Sequence, residues 1–295
     1  MAVPSAPAAP PVRSPLDVAV LRASLIGPRS LWRDITVVEA TGSTNADLVA
    51  RAAAGALEGT VLAAEEQRQG RGRMGRRWVS PPRASLMVSA LLRPAAVPPE
   101  DTTPESATPE AVPPARRGWL PLLTGVAAAT AVRQVTGVPA VLKWPNDLLV
   151  GDRKLAGILA EQSGDAIVVG IGLNVSITGD ELPDTGPGAL PATSLLLENA
   201  ASLDRTALLT ALLEQLSHWY RVWRHARPPG DPDQSGLRQA YLDLCATIGR
   251  DVRVERPAGH VTAGRAAGLD PDGRLIVAAP DGDEAVSAGD VRHLR

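Results

Sequence analysis

Residues 60–82, TVLAAEEQRQGRGRMGRRWVSPP, do most to limit what this chain can build. A strand-like run, TVLAAEEQ (60–67), feeds into GRGRMGRRW (70–78), which holds three glycines and four arginines in nine positions. Gly70, Gly72 and Gly75 satisfy the G-x-G-x-x-G spacing of dinucleotide-binding turns. Such a turn must open a helix whose N-terminus meets a pyrophosphate, with an acidic residue about 20 positions on. Here Pro81 and Pro82 forbid a helix of useful length, and positions 89–96 hold no acid. No Gly-Lys-Ser/Thr occurs anywhere, so a Walker loop is excluded as well. Three readings of the stretch remain: a nucleic-acid-binding box, a solvated basic loop, and a mobile loop that closes over a small anion.

Length and charge narrow these. At 295 residues the chain has room for about two domains. A net charge of −2 gives no global attraction to nucleic acid, so such binding would need a local patch. Arg68, Arg71, Arg73, Arg76 and Arg77 make one, with Trp78 able to stack a base. The 34 residues before the first expected strand leave no room for a helix-turn-helix domain, so DNA binding is not expected. Cys245 is the sole cysteine, which excludes an intrachain disulfide and suits a reducing compartment. The opening MAVPSAPAAPPVRSP is neither signal peptide nor anchor, and the most apolar window, Leu120–Val135, is interrupted by Thr124, Gly125 and Arg133. A cytoplasmic protein without membrane contact is the expectation. Phe is absent, and of the 30 basic residues only Lys143 and Lys154 are lysine, so a compact point charge is singled out at two places.

Along the chain, residues 1–14 read as a disordered tail and 15–25 as a short amphipathic helix. A strand at 35–40 precedes TGSTNADLVARAAAG (41–55), where Ser43, Thr44 and Asn45 cap a helix that Gly55 closes. Strands at 60–67 and 85–93 follow, then a Pro/Thr/Glu/Ala-rich stretch, 94–118, read as a disordered insertion. A buried helix at 119–137 leads to strand-like runs at 140–150, 153–162 and 166–175, then helices around 193–200, 204–226 and 236–247. From 248 the texture changes to short alternating strands divided by PAG, PDG and PDG turns, a small β module of 48 residues. Polar groups collect at strand edges: Lys143, Asn146 and Asp147 in KWPNDLL, Lys154 and Gly157 in RKLAGILAE, Asn174 in GIGLN. His218, His225, His260 and His293 show no metal spacing and receive no role.

Five segments in order, GSTN (42–45), Q-x-x-GRGRxGRxW (67–78), KWPND (143–147), KLAGIL (154–159) and GIGLN (170–174), resemble the signature of biotin protein ligases. The resemblance spans roughly residues 35–295. It implies an α/β (α+β) fold: a mixed-sheet catalytic domain over 15–247 and an SH3-like β-barrel over 248–295. It also implies an ATP-dependent ligase that joins biotin to AMP with release of pyrophosphate, then passes biotin to a lysine of a biotin carboxyl carrier domain. ATP, biotin and Mg2+ are the implied cofactors, and a monofunctional enzyme, monomer or weak homodimer, the implied state.

Carried onto this chain, the resemblance puts biotin contacts at Ser43, Thr44, Asn45, Gln67, Arg71, Gly72, Arg73, Lys154 and Gly157. ATP and adenylate contacts fall on Arg73, Met74, Arg76, Trp78, Lys143, Asn146, Lys154 and Asn174, although Met74 brings no polar group. Arg73 and Lys154 stand at the reacting carboxylate and phosphate, where an anion attacks an anion and fixed positive charge must lower the barrier. Asp147 either takes the proton of the acceptor amine or simply orders its turn. Ser43–Asn45 and Gln67 also have plain readings, as a helix cap and a strand-end polar residue. Trp78 and Trp144 compete for the adenine. Two rival functions remain: a lipoate–protein ligase, and an RNA- or DNA-binding module built on the Arg/Gly loop.

Overall fold

The computed structural model describes residues 12–95, 111–184, 190–256 and 259–294. Two sheets organise it. The larger has seven strands: β1 (Asp34–Val38), β2 (Thr60–Ala64), β5 (Ser85–Leu92), β6 (Val141–Lys143), β7 (Asp147–Val150), β8 (Arg153–Ser163) and β9 (Ala166–Asn174), in the order β1-β2-β5-β9-β8-β7-β6. β1 and β2 run parallel and every other pair is antiparallel. The smaller is antiparallel, with β10 (Asp251–Glu255), β11 (Val261–Leu269), β12 (Leu275–Ala279), β13 (Gly282–Val286) and β14 (Asp290–His293), in the order β13-β12-β11-β10-β14. Its turns at 271–273 and 280–282 are the two PDG sites read from sequence.

One face of the large sheet carries the main core. Leu86, Val88, Ala90 and Leu92 of β5 and Ile167, Val169, Ile171 and Leu173 of β9 alternate onto it. Helices α1 (Val18–Leu25), α3 (Trp119–Thr136) and α4 (Arg205–Arg224) cover that face. α3 is apolar nearly all round, with 13 of its 18 residues buried, and Gly137 at φ 72 ends it in the left-handed form. The opposite face is only partly covered: α2 (Thr44–Ala53) seals Leu62, Leu91, Ala166 and Val168 with Leu48 and Ala52. Beyond α2 that face is open, and the site lies there.

Three expectations change. Residues 193–200 form turns rather than a helix. Glu198 N–H bonds to Ser194 O as in one helical turn, but Asn199 takes φ 55 and Ala200 N–H turns back to Leu195 O, so the turn does not propagate. Of the supposed 94–118 insertion, 96–110 lies outside the described residues, but its ends are ordered. Val112 is fully buried and bonds to Pro94 O, and 114–118 form a 3-10 turn into α3. The 1–14 tail also shortens: 1–11 lie outside the described residues, while Arg13 pairs with Glu181 and Ser176.

A buried ion pair fixes the N-terminal strap to the domain. Arg205, at the start of α4, meets Glu65 at 2.7 Å with both side chains at most 5% exposed. Glu65 Oε1 accepts from Leu16 N–H at 2.6 Å, and Arg205 donates to Ser14 O at 2.6 Å. Such a pair gives modest net stability when intact but is strongly missed when halved. Arg205→Met should therefore destabilise the protein by about 3–5 kcal/mol in urea unfolding; a loss below about 1 kcal/mol would show that the pair does not carry the strap.

Candidate active site

On the open face β9 presents Ala166, Val168, Gly170, Gly172 and Asn174, so two successive positions carry no side chain. Gly172 pairs in register with Gly157 of β8, and Gly170 with Ser89 of β5. The missing side chains let Trp78 and Asn45 pack close to the sheet backbone beside a cavity of about 750 Å3. All but one of the sequence-predicted site residues line it, the exception being Met74.

The closed end is neutral and hydrogen-bonded. Ser43 is the N-cap of α2, although its cap bond to Ala46 N–H is long at 3.5 Å. Gln67 Oε1 does more, accepting from Thr44 N–H at 2.7 Å and from Thr44 Oγ1 at 3.0 Å. Asn45 turns toward the sheet, donating to Glu161 Oε2 at 2.8 Å and accepting from Ser89 Oγ at 2.6 Å. Capping and lining are thus one arrangement. Ser89 and Glu161 escaped the sequence reading; only the strand register, which sets Ser89 opposite Gly170, brings Ser89 here. A Cβ on Gly170 would stand 2.0 Å from Asn45 Oδ1, so the glycine is there for close approach.

GRGRMGRRW forms the cavity's roof as a small hairpin, β3 (Gly70–Arg71) pairing with β4 (Arg77–Trp78). Its glycines have separate causes. Gly70 faces Trp78, whose carbonyl oxygen would be 2.5 Å from an added Cβ, while Gly75 sits at φ 73 in the turn. Met74 shares that turn at φ 56, which sends its side chain outward, 56% exposed and away from the cavity wall. Of the residues expected to contact adenylate, Met74 is the one whose side chain stands outside the cavity lining. Trp78 lies flat on the glycine pair, its Cε2 2.5 Å from where a Gly172 Cβ would be, and its Nε1 is buried without a partner. Trp144 is fully buried and donates from Nε1 to Gly273 O at 3.1 Å, so it belongs to the junction with the small sheet and Trp78 to the cavity.

The other end is cationic. Arg73 donates to Asn146 Oδ1 at 2.9 Å, and Asn146 in turn donates to Ile158 O at 3.0 Å. Burial draws the Arg73 pKa below the usual arginine value, with Asp147 and Asp290 opposing. A β-bulge turns Lys154 inward: β7 pairs Asp147 with Gly157 and Leu148 with Ala156, then slips so that Leu149 faces Lys154. Lys154 Nζ thereby reaches Asp147 Oδ1 at 2.6 Å. Lys143 pairs in register with Asp147 across the KWPND hairpin and is 9% exposed. Asn174 binds Thr193 O at 2.8 Å and closes the wall. Arg71 and Arg76 stand at the rim, Arg71 4.0 Å from Glu161 and Arg76 2.6 Å from Asp290 of the small sheet. His293, given no role from sequence, lines the same cavity together with Arg250.

Residues 43–177 match the biotin/lipoate A/B protein ligase family, and residues 247–294 match the biotin protein ligase C-terminal domain. The chain is 42% identical over 289 residues to a biotin–[acetyl-CoA-carboxylase] ligase of Mycobacterium tuberculosis, covering 96% of this chain and 98% of that one. It is 34% identical to a bifunctional ligase/repressor of Escherichia coli, covering 89% of this chain and 75% of that protein. In fold it is similar to the biotin protein ligase of Aquifex aeolicus solved with biotin and ATP, with a TM-score of 0.65 at 24% identity over 89% of this chain and all of that one.

The close packing at the neutral end is testable without any ligand. Gly170→Ala must push Asn45 off Ser89, and it should cost about 1–3 kcal/mol in thermal unfolding, the range for overpacking a filled site. An unchanged unfolding temperature would mean that Asn45 is not held there.

Proposed function

The chain belongs to the biotin protein ligase family, and we propose that it activates biotin with ATP as an acyl-adenylate and delivers it to a lysine of a biotin carboxyl carrier domain. One observation carries this reading: a single cavity joins a neutral hydrogen-bonding end, Ser43–Asn45 with Gln67, to a cationic end, Arg73 with Lys154. Biotin has that polarity, a neutral ureido ring at one end and a carboxylate at the other. The similarity in sequence to a named biotin ligase favours biotin over lipoate as the acid.

In the first step a biotin carboxylate oxygen attacks the α-phosphorus of ATP, and the bond to the β-phosphate breaks. Two anions are brought together, so Arg73 and Lys154 act by neutralising and aligning them. Trp78, lining the cavity, offers the ligand an apolar face. In the second step the acceptor amine attacks the carbonyl carbon, the bond to AMP breaks, and the amine proton passes to Asp147. The Lys154–Asp147 pair links the steps. When Lys154 turns to the substrate carboxylate, Asp147 is left as the adjacent base. Mg2+ enters as part of the substrate, carried on the nucleotide. Of the cavity carboxylates, Asp147, Asp152 and Asp290 each face a cation, and no three metal-ligating side chains gather among the described residues. The carrier partner implied is acetyl-CoA carboxylase, by likeness to the relative's name. No described helix is long and apolar enough to cross a membrane.

Pyrophosphate release with biotin or lipoate as the only acid tests the reading; lipoate-dependent release without biotin-dependent release would overturn it. Lys154→Ala should reduce biotin-dependent release about a hundredfold or more, the scale for losing a preorganised charge; near-normal release would remove Lys154 from the chemistry. Arg73→Ala, by removing a cation that holds the intermediate's phosphate, should let adenylate escape and label lysines of bystander proteins, scored by streptavidin blot, whereas labelling confined to the carrier would show that Arg73 does not retain the adenylate.

A further inference from the structure

The N-terminal strap holds both walls of the cavity from outside. Glu65, which accepts from Leu16 N–H and pairs with Arg205, stands two residues before Gln67. Ser176, to which Arg13 donates, stands two residues after Asn174. Gln67 and Asn174 both line the cavity. The strap, 12–17, does not line it, and it precedes the residues matched to the catalytic family.

Arg13 makes the grip on the second wall. Its Nε donates to Ser176 Oγ at 3.2 Å, its Nη2 to Ser176 O at 2.9 Å and its Nη1 to Glu181 Oε1 at 3.1 Å, while Nη2 also reaches Glu181 Oε2. A fork that meets a carboxylate on both oxygens fixes direction as well as distance. Glu181 is bound to its own turn as well: Oε2 accepts from Thr178 N–H at 3.0 Å, and Glu181 N–H donates to Thr178 O at 3.2 Å. Arg13 first, against the effect of burial and with the help of Thr178 N–H, holds the Glu181 carboxyl down to about 2, so the pair is charged at neutral pH. From the other side, Ser176 N–H donates to Ala84 O at 2.8 Å.

This clamp sets the course of the chain into the cavity. Pro183 and Asp184, just beyond Glu181, line it, as do Leu190 and Ala192 further along. The later arm is tied to the cationic wall, with the backbone N–H of Lys154 donating to Pro191 O at 2.8 Å and Thr193 N–H donating to Lys154 O at 2.9 Å. The earlier arm, 177–184, belongs to no strand, and Arg13 ties it to the strap. An arm held in place before a ligand arrives loses less entropy when the ligand binds.

We propose that Arg13 is a positioning residue for the nucleotide end of the cavity: its clamp on Ser176 and Glu181 places Pro183 and Asp184 against bound adenylate, so that the N-terminal strap governs how tightly the intermediate is kept. This rests on the acyl-adenylate reading above.

Two measurements on the full chain separate the clamp from that reading. In hydrogen exchange of the free protein, peptides spanning 177–184 should exchange faster in Arg13→Gln and in Glu181→Gln than in the wild type, while the buried helix 119–136 stays unchanged. In calorimetric titration, a non-hydrolysable biotinyl-adenylate analogue should bind each single variant about tenfold more weakly, the scale of one charge-assisted pair, and biotin alone should move less than about twofold. The double variant should be no weaker than either single one, because both remove the same interaction. Unchanged analogue affinity in Arg13→Gln, equal weakening for biotin and analogue, or an additive loss of about a hundredfold in the double variant would overturn the proposal. A wild type that binds no analogue would overturn the acyl-adenylate reading; faster exchange at 177–184 would then still uphold the clamp, and unchanged exchange would overturn it too.

Discussion

The cavity owes its depth to the glycines where β8 and β9 cross it. Gly157 and Gly172 stand side by side and Gly170 lies one pleat further in, so Trp78 from above and Asn45 from the side can sit low against the backbone and leave the cavity room beside them. A central strand normally fills both of its faces; here one face keeps Ile167, Val169, Ile171 and Leu173 for the core while the other is stripped to backbone. The roof hairpin, the first turn of α2 and the KWPND hairpin are all placed with respect to that bare floor. The roof's Gly-Arg stretch is thus explained by what it covers.

Charge is arranged around this floor with the same economy. The neutral end is saturated by hydrogen bonds among Thr44, Gln67, Asn45, Ser89 and Glu161, which fixes its donors and acceptors in place. At the other end each basic group except Lys143 has a partner, so the positive potential is held in shape before any substrate arrives. Preorganised charge of this sort stabilises developing negative charge without reorganising during the reaction. The Lys154–Asp147 pair depends on a one-residue bulge in β8, so a local irregularity of the backbone sets the spacing on which both proposed steps rely.

The motifs that carry chemistry were readable because each is local: a cap, a glycine spacing, a hairpin turn. GSTN, KWPND and GIGLN each contribute residues to the lining of one cavity. What escaped depends on contacts distant in sequence. Residues 193–200 look helical, but Leu195 and Leu196 are tied to Asn174 and Val175, 21 residues away in each case, and the one helical turn stops at Asn199. Trp144 looks like an adenine platform until the PDG turn at 271–273 accepts its indole N–H. Met74 falls inside a binding motif but sits in a left-handed turn, so its side chain leaves the site that its neighbours build. Ser89 and His293 carry no local signal, since strand register brings in the first and docking of a second sheet the second.

The central claim is that this cavity makes and holds an acyl-adenylate without forming a bond to the protein. Native mass spectrometry of the chain after incubation with biotin and MgATP, with no acceptor present, tests this most directly. The account predicts a complex heavier by the mass of biotinyl-AMP that disappears on denaturation and is consumed when a carrier domain is added. An adduct that survives denaturation, or a protein that stays unliganded with biotin and acquires the adenylate only with lipoate, would contradict it.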